Sequence, residues 1–62
     1  MSWLVEFEMT YGGSYRNRFR FRTRDEAEAY ARTNPHMVAG YRVAESADPV
    51  THKMDGQEIK ND

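Results

Sequence analysis

No cysteine occurs among the 62 residues, so the chain has neither a disulfide-stapled scaffold nor a thiolate metal site. Long apolar runs are missing too. A membrane-spanning helix needs about 20 consecutive apolar residues, and no stretch of this sequence approaches that. A secretory signal needs a basic start and an uninterrupted apolar run of about 7–15 residues, whereas residues 1–11 are interrupted by Glu6 and Glu8. The expectation is a cytoplasmic chain with no membrane partner. Length sets a further limit, because a chain this short buries only about 60% of its unfolded surface and has little room for a desolvated cleft.

Residues suited to catalysis are also few. His36 and His52 are the only histidines, and they show neither H-x3-H nor H-E-x-x-H spacing. They read as exposed loop residues, with no metal expected. Ser2, Ser14 and Ser46 lack a G-x-S-x-G elbow, so no nucleophile is indicated. Gly12-Gly13 lies between two strand-like segments, where turn geometry explains it, and not at the strand-to-helix junction of a phosphate loop. The sequence therefore points to a non-catalytic protein with no cofactor.

Secondary structure is readable from periodicity. Trp3, Val5, Phe7, Met9 and Tyr11 alternate with Leu4, Glu6, Glu8 and Thr10, and after Gly12-Gly13-Ser14 the chain alternates Tyr15, Asn17, Phe19 and Phe21 with Arg16, Arg18, Arg20 and Arg22. This predicts a hairpin of strands over about 3–11 and 15–22. If Tyr11 faces Tyr15, then Phe7 faces Phe19, Val5 faces Phe21, Glu8 meets Arg18 and Glu6 meets Arg20, so aromatic and charge matching favour one register. Such opposition suits Glu6 and Glu8 to salt bridges, not to acid–base chemistry.

Thr23-Arg24-Asp25-Glu26 is a capping box. It opens a helix over about 24–33 with Ala27, Tyr30 and Ala31 on its apolar face, capped by Asn34 and stopped by Pro35. A third strand follows over about 37–45, with Gly40 marking a bulge or close approach. Ser46 to Pro49 reads as a loop. Asp55-Gly56 is a hairpin signal that places a short fourth strand over about 50–54, before a frayed tail over about 58–62. The expected architecture is one α+β domain spanning residues 1–62, of ββαβ(β) order. Its mainly antiparallel sheet has the order 2-1-3, with one helix packed on one face.

Charge is unevenly spread. The net charge of -1 combines +5 over residues 16–24 with -2 from each of residues 1–15, 25–34 and 35–62. Arg16, Arg18, Arg20, Arg22 and Arg24 thus form a cationic row, with Tyr15 as an aromatic anchor beside it. Neutralisation of Arg18 and Arg20 by Glu8 and Glu6 would leave Arg16, Arg22 and Arg24 as the net patch. Phe19 and Phe21 alternate away from the arginines, unlike the base-stacking aromatics of RNA-binding sheets, and three cations release few counterions. A solvated, salt-bridged face is the alternative to a binding role. The functional expectation is a protein-binding module, such as a small accessory or inhibitory protein of the phage kind, using the arginine face or edge. Nucleic-acid binding by the same row is the rival. A core of roughly a dozen apolar side chains barely offsets ordering entropy, which favours a partner or a homodimer.

Overall fold

Strand alternation, one amphipathic helix and two glycine turns account for the architecture of the computed structural model, which describes residues 1–33 and 38–60. Strand β1 spans Ser2–Met9, β2 spans Ser14–Arg16, α1 spans Arg24–Arg32 and β3 spans Val38–Ser46. The sheet has the order β2-β1-β3, and β1 pairs antiparallel with both neighbours. This is the α+β arrangement expected from the sequence. The expected Asn34 cap, Pro35 stop, loop position of His36 and strand start at Met37 lie outside the described residues, as does the end of the tail.

The helix starts where its cap directs. Thr23 is extended, its hydroxyl oxygen accepts from the Glu26 amide at 3.1 Å, and its O–H donates to the Glu26 carboxylate at 3.4 Å. Glu26 therefore meets the Thr23 hydroxyl, whereas a full capping box would take it to the cap amide. At the other end, Thr33 closes the helix by donating its hydroxyl to the Tyr30 carbonyl at 2.8 Å. Ala27 and Ala31 are buried against Val5, Phe7 and Phe21. Their small size lets the helix come close to the sheet. Tyr30 lies at the centre of the aromatic packing, with ring centroids 6.5 Å from Phe7, 5.2 Å from Phe19 and 5.3 Å from Phe21.

The hairpin register differs from the sequence expectation by four residues. Phe7 faces Tyr15, Glu6 faces Arg16 and Glu8 faces Ser14. An even shift leaves every side chain on its expected face but changes its partner. The turn is the cause. Met9 donates to the Gly13 carbonyl at 3.0 Å and accepts from Gly12 at 3.1 Å, so Thr10, Tyr11 and Gly12 form the loop. Gly12 there has φ +98°. Tyr11 is a loop residue, and β1 ends at Met9.

The expected strand over 15–22 is interrupted after Arg16. Asn17 donates its amide to Val5 at 2.8 Å, but its side-chain oxygen accepts the Phe19 amide at 2.8 Å, an Asx turn that bends the chain out of the ladder. The chain returns at Phe21, which exchanges backbone hydrogen bonds with Trp3 at 2.8 and 2.9 Å. On the other side of β1, Glu8 pairs with Gly40 but Met9 pairs with Val38, so Ala39 is a bulge. The bulge brings Val38 to the core side.

Residues 50–54 do not join the sheet. Instead Ile59 donates to Thr51 at 2.8 Å and Lys53 to Gln57 at 2.9 Å, while Gly56 donates to Lys53 at 2.8 Å. This repeats the hydrogen-bond pattern of the first loop, with Gly56 at φ +82°. Thr51 and His52 both donate to the Arg20 carbonyl at 2.9 Å, tying this small hairpin to the segment that leaves β2.

Gly12 and Gly56 are not equivalent. A Cβ on Gly56 would lie 2.7 Å from Tyr30 Cε1 and 3.2 Å from Phe19 Cε2, whereas a Cβ on Gly12 would meet nothing within 4 Å. Gly12→Ala should cost about 1–2 kcal/mol for the left-handed backbone alone. Gly56→Ala should cost that and the clash, giving the lower melting temperature of the two. Equal losses in thermal unfolding would contradict the packing of this turn on Tyr30.

Candidate interaction surface

The five arginines of residues 16–24 take three different roles. Arg16, on β2, places Nε 3.4 Å from Glu6 Oε2, while Arg42, on β3, places Nη2 3.1 Å from Glu6 Oε1. One carboxylate at the centre of the sheet thus holds an arginine from each neighbouring strand. Alternation alone opposes Glu6 to Arg20 and gives no sign of Arg42 as a partner; only the β1–β3 register brings Arg42 there. Glu8, expected opposite Arg18, lies instead between Ser14 and Gly40. With small residues on both sides, Glu8 borders a shallow open depression of about 390 Å³ that Glu6, Ser14 and Arg42 also line. The outer face of the sheet is therefore charge-balanced, not cationic.

Arg20 turns inward. Its Nη1 donates to the carbonyls of Asn17 at 2.6 Å and Phe19 at 3.0 Å, and its Nε to Asp48 Oδ2 at 2.9 Å. Its side chain is only 17% exposed. These bonds satisfy carbonyls that the Asx turn removes from the ladder, so Arg20 closes the bend. Hydrogen bonds from Arg20 and Ser46 hold the Asp48 carboxyl below its ordinary range.

Arg18, Arg22 and Arg24 remain exposed, and no ion pair engages them among the described residues. Arg18 lies with its guanidinium carbon 5.5 Å from the centre of the Phe19 ring. Arg22 follows the Phe21 bridge, and Arg24 begins α1. Tyr15 packs its ring 5.5 Å from that of Phe7 yet keeps 45% exposure. The sequence placed all six of these residues on or beside one straight strand. The structure keeps Arg16 and Tyr15 on β2, takes Arg20 inward and leaves Arg18, Arg22 and Arg24 outside the ladder.

His52 is not an exposed loop residue. It is 6% exposed, its ring is 4.1 Å from that of Phe19, and Nδ1 bonds the Thr51 hydroxyl. Burial, above all, lowers its pKa, with Arg18 and Arg20 adding to the effect and Glu58 opposing it. No group of three or more His, Cys, Asp or Glu side chains suited to a metal occurs among the described residues. No described helix is long and apolar enough to cross a membrane. Comparison of the chain with protein families, curated proteins and solved structures finds no match.

Arg20→Ala should destabilise the fold by about 1.5–3 kcal/mol through its carbonyl bonds, whereas Arg18→Ala should stay within about 0.5 kcal/mol of the parent in urea unfolding. The reverse order would contradict these roles. His52 makes stability pH-dependent. Its folded pKa is below the unfolded value of about 6.5, so its contribution is complete above that pH and declines as acid protonates the unfolded chain first. His52→Gln should flatten the stability profile just below pH 6.5. An unchanged acid limb would show that His52 is not its source.

Proposed function

We propose that the chain is a non-catalytic protein-binding module that engages an acidic surface of a larger partner through Arg18, Arg22 and Arg24, with Tyr15 as a neighbouring aromatic contact. The observation that supports this reading is the division of the seven arginines. Arg16, Arg20, Arg32 and Arg42 are matched to Glu6, Asp48 and Glu28, whereas the three arginines without an ion pair among the described residues all fall within residues 18–24. Ion pairs scattered for solubility would not leave their unmatched members together.

An exposed guanidinium keeps its donors available for a carboxylate fork, and three of them within seven residues of sequence favour an acidic segment or patch as the partner. Arginine and tyrosine are also enriched among the residues that dominate interface energetics. The Asx turn aids this use, because it lifts Arg18 off the flat ladder while Arg20 anchors the bend beneath it. A protein partner is favoured over nucleic acid. The chain as a whole carries -1, and three cations give a shallow dependence of affinity on salt.

A fluorescent peptide rich in Asp and Glu, titrated alongside labelled single- and double-stranded DNA and RNA at low salt, separates the two. The parent protein should bind the acidic peptide, and the Arg18→Glu, Arg22→Glu, Arg24→Glu triple variant should lose that binding at least tenfold while its circular dichroism is unchanged. Arg32→Glu, at the far end of α1, should change binding little. Preference for nucleic acid, or equal losses for the triple variant and Arg32→Glu, would overturn the reading.

A further inference from the structure

The two edges of the sheet are built differently. On β1, Trp3, Val5 and Met9 direct backbone hydrogen bonds toward the β2 side. Antiparallel alternation then directs Ser2, Leu4, Glu6 and Glu8 toward β3, where they meet Ser46, Ala44, Arg42 and Gly40. It follows that Tyr41, Val43 and Glu45 point their amide and carbonyl groups away from β1, to the open side of β3. No strand pairs with that side among the described residues.

The β2 edge is three residues long and ends at the Asx turn of Asn17, so it offers little to pair with. The β3 edge belongs to a nine-residue strand. From Tyr41 to Glu45 it carries no proline, lysine or bulge, the devices that commonly protect an edge. Arg42, the cation on this stretch, is engaged by Glu6 on the sheet surface.

We propose that this edge pairs with a second copy of the chain, β3 against β3, about a two-fold axis through Val43. Two-fold antiparallel pairing requires opposed residues to share a face, so the axis must pass through a residue position and not between two. Centring on Arg42 would oppose two arginines. Centring on Ala44 would oppose Tyr41 to Ala47, beyond the end of β3. Centring on Val43 opposes Val43 to itself, Tyr41 to Glu45 and Arg42 to Ala44. That register uses all three outward-pointing residues, about six backbone hydrogen bonds in all, and sets no like charges opposite each other. It also adds a charge match. Arg32, which is paired with Glu28, lies beside Tyr41, so Glu45 of the second copy would approach the same guanidinium on the helix side.

The product is a continuous sheet with three strands from each copy and the two β2 edges at its ends. The Arg18–Arg24 segments would be at opposite ends of the dimer, available for two-site binding. The dimer does not depend on what those arginines bind.

The absence of native cysteine makes single-cysteine crosslinking a clean test. Opposed Val43 positions would have Cα atoms about 5.5 Å apart, within disulfide reach, whereas two copies of position 41 or of position 45 would be about 14 Å apart. Val43→Cys should form a disulfide-linked dimer under mild oxidation, and Tyr41→Cys and Glu45→Cys should not. Sedimentation of the parent should show mass rising above the 7.3 kDa monomer with concentration. Tyr41→Pro, which removes an amide that β1 does not use, should abolish that rise while keeping the circular dichroism spectrum. The Arg18, Arg22, Arg24 charge reversal should leave the rise intact, which separates this proposal from the partner reading. A monomer at all concentrations, or preferential crosslinking of Arg42→Cys or Ala44→Cys, would overturn it.

Discussion

The side-chain oxygen of Asn17 accepts the Phe19 amide at 2.8 Å, and much of the molecule follows from this bond. It takes the place of a ladder hydrogen bond, so β2 ends at Arg16 and the next residues leave the sheet plane. Phe19 can then meet both Tyr30 and His52, where a straight strand would have kept it opposite β1. The Arg20 carbonyl, released from the ladder, accepts from Thr51 and His52 and so anchors the C-terminal hairpin. One short polar side chain thereby joins the sheet, the helix and residues 50–60 into a single domain.

The same bend sorts the charges. A continuous strand would have arranged its arginines in a row facing the two glutamates of β1. Instead Glu6 is shared between β2 and β3 through Arg16 and Arg42, and Arg20 stabilises the bend with Asp48. These matched pairs leave the sheet face nearly neutral. Excess positive charge collects over residues 18–24, outside the ladder, and the open backbone of β3 lies at the other edge of the sheet. If both are used, recognition of a partner and self-association occupy separate edges of one small domain and do not compete.

Much of this fold was legible in the sequence because alternation and helical periodicity report faces. Trp3, Val5 and Phe7 turn toward the helix as their spacing requires, and Thr23, Ala27 and Ala31 mark the helix and its buried stripe. Partners were harder to read. Residues 15–22 alternate so regularly that Asn17 passes for a strand residue, and only its side-chain bond to Phe19 distinguishes it. The loop position of Tyr11 moved the register by four residues, a shift invisible to any test based on faces alone. Gly40 did signal an irregularity, but the bulge fell on its neighbour Ala39. His52 looked exposed because its cover, Phe19, was assigned to the sheet core. In the candidate site, the basic segment was legible as composition. Which arginines stay unmatched depends on long-range partners, Asp48 for Arg20 and Arg42 for Glu6, that no local pattern encodes.

The arginine-rich segment breaks at Asn17 and is not a continuous strand. Nuclear Overhauser contacts between backbone protons test it most directly. A broken strand gives cross-strand contacts linking Phe7 to Tyr15 and Trp3 to Phe21, together with contacts from the Phe19 ring to His52. Backbone contacts linking Phe7 to Phe19 and Val5 to Phe21, in an unbroken ladder through Arg18 and Arg20, would contradict it.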